Sequence, residues 1–224
     1  MRPWPRGYHM LVCSLPALPP HFDAAPLPIS PERLQDRLRM LEPADAEEMK
    51  RFMDVLVWSR TLPEKTDAAV VHRYGELLRR IGHPALREIA AAFMDVQMIL
   101  TALRRRRLGL GPPEVGVGRW LDHVRRHFAE PDLGLGHVFP HLAALRQLLE
   151  ADDVLAFHRA LLEATWNRLK TRAADQYFSF EAVALYVARW ELMRAWRERD
   201  AERGRAVFES LVSEALGEYA DLPS

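Results

Sequence analysis

Apolar residues recur three and four positions apart along most of the chain, and no stretch of strand length alternates apolar with polar residues. That spacing predicts amphipathic helices. Ser30 ahead of Pro31 and Glu32 predicts a helix start, because the hydroxyl accepts an orphan amide proton and proline fits the first turn. Leu34, Leu38 and Leu41 form its apolar side. Pro43 opens a second helix with Met49, Phe52, Met53, Leu56 and Val57 in register, ending near Thr61 and Pro63. Thr66 is placed to cap a third, carrying Val71, Tyr74, Leu77 and Ile81, with Gly82 as a left-handed stop. A fourth runs from Pro84 to about Leu108. The stretch Gly109 to Gly118, with four glycines and two prolines, breaks it. Further helices are expected over 119–129, 140–150, 153–172 and 180 to about 200, with a last piece reaching Tyr219.

Ahead of these, Tyr8 to Leu15 is a continuous apolar run too short for periodicity to classify, and is expected as a buried strand or an extended arm. Five prolines from Pro16 to Pro28 then fix an extended path. The expected fold is all-α, a bundle of antiparallel helical hairpins in two similar halves with a short extended N-terminal segment. Its parts are an arm over 1–29, a first half over 30–108, a Gly/Pro linker over 109–118 and a second half over 119–224.

Composition narrows what such a bundle does. The 224 residues carry 31 basic and 31 acidic side chains, so no long-range positive field draws nucleic acid or anionic lipid. At 49% hydrophobic and 28% charged, the chain is far from disorder-prone composition. A single cysteine, Cys13, excludes an intrachain disulfide and a CxxC pair, and its apolar neighbours predict a buried, inert thiol. No apolar run is long enough to span a bilayer, so no direct membrane insertion is expected. Arg2 and Arg6 before an apolar run imitate a secretory signal, but Pro16, Pro19 and Pro20 follow and no A-x-A site appears, which favours the cytoplasm.

Candidate chemistry is sparse. His123 and His127 lie four apart, as do His137 and His141, a spacing that zinc sites use; no HExxH string accompanies them, so solvated or capping histidines are expected, with no metal and no cofactor. Asp95 inside an apolar helix and Asp122 beside Trp120 are the candidate acids; Asp95 is expected to meet an arginine or a neighbouring helix end rather than a substrate. GLGPPEVGVG lacks the order of a phosphate loop. No catalytic residue is assigned. Arg104, Arg105, Arg106 and Arg107 close the fourth helix, where cations offset the helix dipole, and four in a row cover every side, leaving some for a partner. Trp190, Met193 and Trp196 form a stripe expected to pack mainly in the core.

Two segments resemble parts of a V-type ATPase. The string FMDVQMILTALRRRRLGL (93–110) resembles a helix of the V-type ATPase component named C in prokaryotes and d in eukaryotes, in which an acid and a later arginine lead into a glycine-containing loop. Asp95 and Arg104 match that acid and arginine, while Gln97 and Met98 stand where an asparagine is usual. FEAVALYVARWELMRAWR (180–197) is similar to the C-terminal repeat of the same component, with Tyr186, Glu191 and Arg194 or Arg197 at the corresponding positions. The opening YHMLVCSLPAL (8–18) is similar to the start of a small uncharacterised bacterial family, in some lineages encoded among V-type ATPase subunits. The resemblance implies a non-enzymatic rotor adaptor between the central shaft and the membrane ring, cytoplasmic and peripheral to the membrane through those partner subunits. Arg104 to Arg107, Glu191, Arg194 and Arg197 would be its partner contacts. The rival expectation is a helical chaperone for the leader peptide of a redox enzyme, with a metal-dependent enzyme third.

Overall fold

The computed structural model describes residues 7–24, 26–61 and 68–198, with side chains described for all of these except 57–61 and 68–70. Among them every regular element is helical: α1 (His9–Ser14), α2 (Pro31–Leu38), α3 (Pro43–Thr61), α4 (Ala68–Arg80), α5 (Pro84–Arg107), α6 (Leu121–Arg126), α7 (Leu142–Glu150), α8 (Val154–Ala173) and α9 (180–198). No strand is present among the described residues. The fold class is all-α. Thr66 and the piece reaching Tyr219 lie outside the described residues.

Two helix starts are capped by side chains, the first at the residue whose hydroxyl is the expected cap. The Ser30 hydroxyl accepts from Arg33 N–H at 3.4 Å, and the Asp153 carboxylate accepts from Ala156 N–H at 2.9 Å. Each satisfies one amide that the first turn leaves unpaired. Three local expectations are corrected. The run after Tyr8 is a short helix, with Leu11 buried beneath it and Cys13 and Met10 on its outer side, so the thiol is exposed rather than buried. Gly82 does not adopt a left-handed φ. Instead the Glu48 carboxylate of α3 accepts from Gly82 N–H at 2.8 Å and His83 N–H at 3.0 Å, closing the α4–α5 corner from the side. A Cβ on Gly82 would stand 2.9 Å from that carboxylate, so the close approach, not φ, favours glycine there. Finally, α6 is shorter than expected, because 127–141 is a run of turns with Leu133 and Gly134 at φ 55° and 67°.

The packing is organised by two helices. α5 is 24 residues long, about 36 Å. It packs on α3, α4, α6 and α7. Its N-terminal part (Ile89, Ala90, Met94) joins the largest apolar cluster; its C-terminal part (Met98, Ile99, Ala102, Leu103) joins a second cluster with Val124, Leu133, Leu135 and Leu142. α9 is apolar nearly all round, as a helix enclosed by others must be. Phe180, Val183, Leu185, Val187, Leu192 and Met193 enter the main cluster, while Trp190 faces Ile29 and Leu34. The main cluster combines Phe52 of α3 and Tyr74 of α4 with Trp166 of α8, so one core unites the segments before and after the Gly/Pro stretch.

That stretch folds back along α5. Arg105 Nε donates to the Gly111 carbonyl at 2.8 Å, Arg125 Nε to the Pro113 carbonyl at 2.9 Å, and Gly116 lies against Met98.

Candidate functional site

Asp95 and Glu191 are the only buried charged side chains among the described residues. Each stands in one of the two helices singled out from the sequence, and burying a carboxylate requires bound partners.

Asp95 lies midway along α5 with no exposure at all. Its Oδ1 accepts from the backbone N–H of Arg119 at 2.7 Å, and its Oδ2 accepts from Nε and Nη2 of the same residue at 3.0 and 2.8 Å. Both guanidinium N–H groups converge on one carboxylate oxygen as charge-assisted bonds, which leaves the other oxygen to the backbone amide. The neighbouring Gly118 makes the approach possible: its φ is +95°, and a Cβ there would lie 2.6 Å from Oδ1 and 3.2 Å from the Asp95 backbone. Burial, aided by the negative charge of Asp95, pushes the Tyr74 hydroxyl pKa well above its ordinary value. Of the two partners expected for Asp95, an arginine or a neighbouring helix end, the arginine is present, and it is Arg119; Arg104 sits nine residues further along the same helix, about 13 Å away.

Glu191 has an arginine partner within its own helix. Arg194 donates to it through Nε at 3.1 Å and Nη2 at 2.8 Å, and through Nη1 Arg194 also reaches Glu198 at 2.6 Å. The Arg194 guanidinium lies 5.9 Å from the Trp190 ring centroid. Burial alone would lower the Arg194 pKa; the bonds to Glu191 and the charges of Glu191 and Glu198 outweigh it and raise the value. One turn before, burial raises the Tyr186 phenol to about 12, and its hydroxyl has no hydrogen-bond partner among the described residues.

The arginine run at the end of α5 is largely occupied within the chain. Arg105 holds Gly111. Arg106 donates to the carbonyls of Phe128, Glu130 and Pro131, the last at 2.8 Å, and so fixes the turn that brings Leu133 and Leu135 into the core. Arg107 bonds Asp152 at 2.8 Å. Arg104, half-buried, and Arg197, exposed, make no hydrogen bond or ion pair within the described residues.

The other candidates resolve simply. His123 and His127 stack with ring centroids 4.3 Å apart, bonded separately to the Gly134 carbonyl at 3.1 Å and Glu130 at 2.6 Å. His137 and His141 are exposed, and the described residues contain no cluster of three or more metal-ligand side chains. Asp122 is open to water and bonds Arg125 at 3.3 Å. Trp190 is buried, its indole N–H donating to the Ile29 carbonyl at 3.0 Å; Met193 is buried and Trp196 meets Phe22 edge to face. The stripe is core.

Sequence reading missed Arg119 as the partner of Asp95; the signal available was its position directly after Gly118, where a loop turns back into a helix. No described helix is long and apolar enough to cross a membrane. Residues 68–218 match the model of a family described as Protein of unknown function (DUF2764), a span that takes in both buried carboxylates and their arginines. No curated protein and no solved structure matches the chain.

Proposed function

The chain belongs to the DUF2764 family of proteins of unknown function, and from that premise we propose that it is a non-catalytic component associated with a V-type ATPase, resembling the C/d adaptor and coupling the central shaft to the membrane ring. One observation carries the reading. The two helices that resemble that adaptor are also the two that each bury one carboxylate against an arginine, Asp95 with Arg119 and Glu191 with Arg194. Asp95 and Glu191 are the acids matched in the two resembling segments; Arg104, the arginine matched alongside Asp95, is not its bonding partner, which is Arg119.

A rotor adaptor has to pass torque from one face to another without shearing. Close-packed interiors resist shear. A single helix of about 36 Å that joins two apolar clusters suits that task, as does a second helix enclosed in the core. Orientation on partners would come from charge. Of the arginines expected at partner contacts, Arg104 and Arg197 retain their donors within the described residues and are the ones this reading assigns to the shaft or ring. The protein would then be cytoplasmic and peripheral to the membrane through its partners. The leader-peptide alternative, which rests on length, helicity and exposed aromatics, is not carried further, because among the large aromatics of the second half Trp166, Phe180 and Trp190 are buried and Tyr177 is the one widely exposed among the described residues.

The test is copurification from native cells. A tagged chain should recover shaft and ring subunits, and Arg197→Glu should lower that recovery roughly tenfold while leaving the helical content intact. Recovery of neither kind of subunit under gentle solubilisation overturns the reading.

A further inference from the structure

A groove of about 500 Å³ runs between α5, α7 and α8, within the range of roughly 300–1,000 Å³ that small-molecule sites occupy. α7 packs on both α5 and α8 and holds them apart along it. From α5, Ile89, Phe93, Val96 and Leu100 form one stripe; from α8, Leu161, Thr165, Arg168 and Arg172 form another with the same spacing. The two run antiparallel, since Arg172 bonds Glu88 at 2.7 Å at one end while Leu100 and Phe157 share a cluster with Leu161 packed on it at the other. Facing a uniformly apolar stripe, α8 therefore changes character over about 16 Å, from leucine through threonine to arginine. Phe93, Val96 and Leu161 remain partly exposed in the groove.

Size and charge identify the occupant. A helix about 10 Å across lying along those roughly 16 Å would need on the order of 1,200 Å³, well over the groove's volume of about 500 Å³, whereas a single hydrocarbon chain fits. At the mouth Arg172 is neutralised by Glu88, whose pKa is lowered by the hydrogen bond and charge of Arg172, with Arg119 and Arg168 contributing. Arg168 forms no ion pair among the described residues and only overhangs the Phe139 ring at 5.8 Å. The mouth thus keeps one uncompensated positive charge, which suits a monoanion.

We propose that this groove binds one free acyl carboxylate, the hydrocarbon chain lying between the α5 and α8 stripes and the carboxylate on Arg168. This site goes beyond the coupling role and does not depend on it.

Calorimetric titration of the full chain with laurate, kept below its micelle concentration, tests the proposal. Saturable one-to-one binding is expected. Arg168→Gln should weaken it about tenfold, the worth of one charge-assisted hydrogen bond. Dodecan-1-ol should bind the native chain as weakly as laurate binds that variant. Ala164→Phe, which places a ring in the groove, should abolish laurate binding with helical circular dichroism unchanged. A second plug, Thr165→Phe, serves if the first unfolds. Absence of saturable laurate binding overturns the proposal, as does binding indifferent to Arg168→Gln or to a folded plug variant. So does sedimentation with phosphatidylglycerol vesicles in the absence of any affinity for free laurate. Copurification with ATPase subunits bears only on the coupling role, so the two readings fail separately.

Discussion

Asp95 and Glu191 are the same chemistry put to two uses. Both are buried carboxylates gripped by an arginine through two N–H groups, yet the partner of Asp95 lies 24 residues away and that of Glu191 lies three. The first clamp is tertiary: it fastens the returning Gly/Pro stretch to the middle of α5 and includes a backbone amide. The Arg194 pair is local, joining two side chains one turn apart on α9. An ion pair along one helix is worth a few tenths of a kcal/mol when exposed and somewhat more when half-buried. A buried carboxylate that loses a distant partner leaves an uncompensated group in the core, which costs more.

The contrast is broken most directly at Asp95. Asp95→Ala removes three hydrogen bonds and frees the loop, and should lower unfolding free energy by about 3 kcal/mol in urea titration. Asp95→Asn, which keeps an acceptor for the Arg119 amide, should recover about half of that. If the Asp95 clamp is tertiary, the loop must also suffer when the carboxylate is left intact. Gly118→Ala combines a φ of +95° with a Cβ driven against Asp95, and should cost about 2 kcal/mol. Hydrogen exchange should then rise in 109–120 before it rises in α9.

Comparing the arginines sharpens the difference. Arg119→Ala should cost about 1.5 kcal/mol, discounted because the Arg119 side chain is 61% exposed and water can replace it in part. Arg194→Ala should cost about 1 kcal/mol or less, through the local pair and its contact with Trp190. Equal losses for the two arginines would show that distance along the chain does not separate these clamps.

How far the sequence could be read varied by element. α2 is legible at its start because Ser30 carries its own capping group; the Asp153 cap of α8 is equally local but is not among the caps expected from the sequence. The corner at Gly82 is not legible, since its geometry is set by Glu48, 34 residues earlier. Asp95 is legible as an acid that needs an arginine or a helix end beside it, because the desolvation cost follows from an apolar helix alone. Which arginine answers is not, since that depends on where Gly118 turns. The run Arg104 to Arg107 reads as charge that offsets the helix dipole with some left for a partner, yet three of its members tie loops to the end of α5.

By itself the sequence determined the helical class and the approximate place of most described helices, because the 3.6-residue repeat and the caps are local properties of a few neighbouring residues. Tertiary structure alone decided that the Gly/Pro stretch is a strap rather than a spacer, that one core joins the chain on either side of it, and that α5 and α8 leave an amphipathic groove between them. Each of those outcomes depends on contacts between segments far apart in sequence, where a single angle at Gly118 or a single bond at Glu48 sets what meets what.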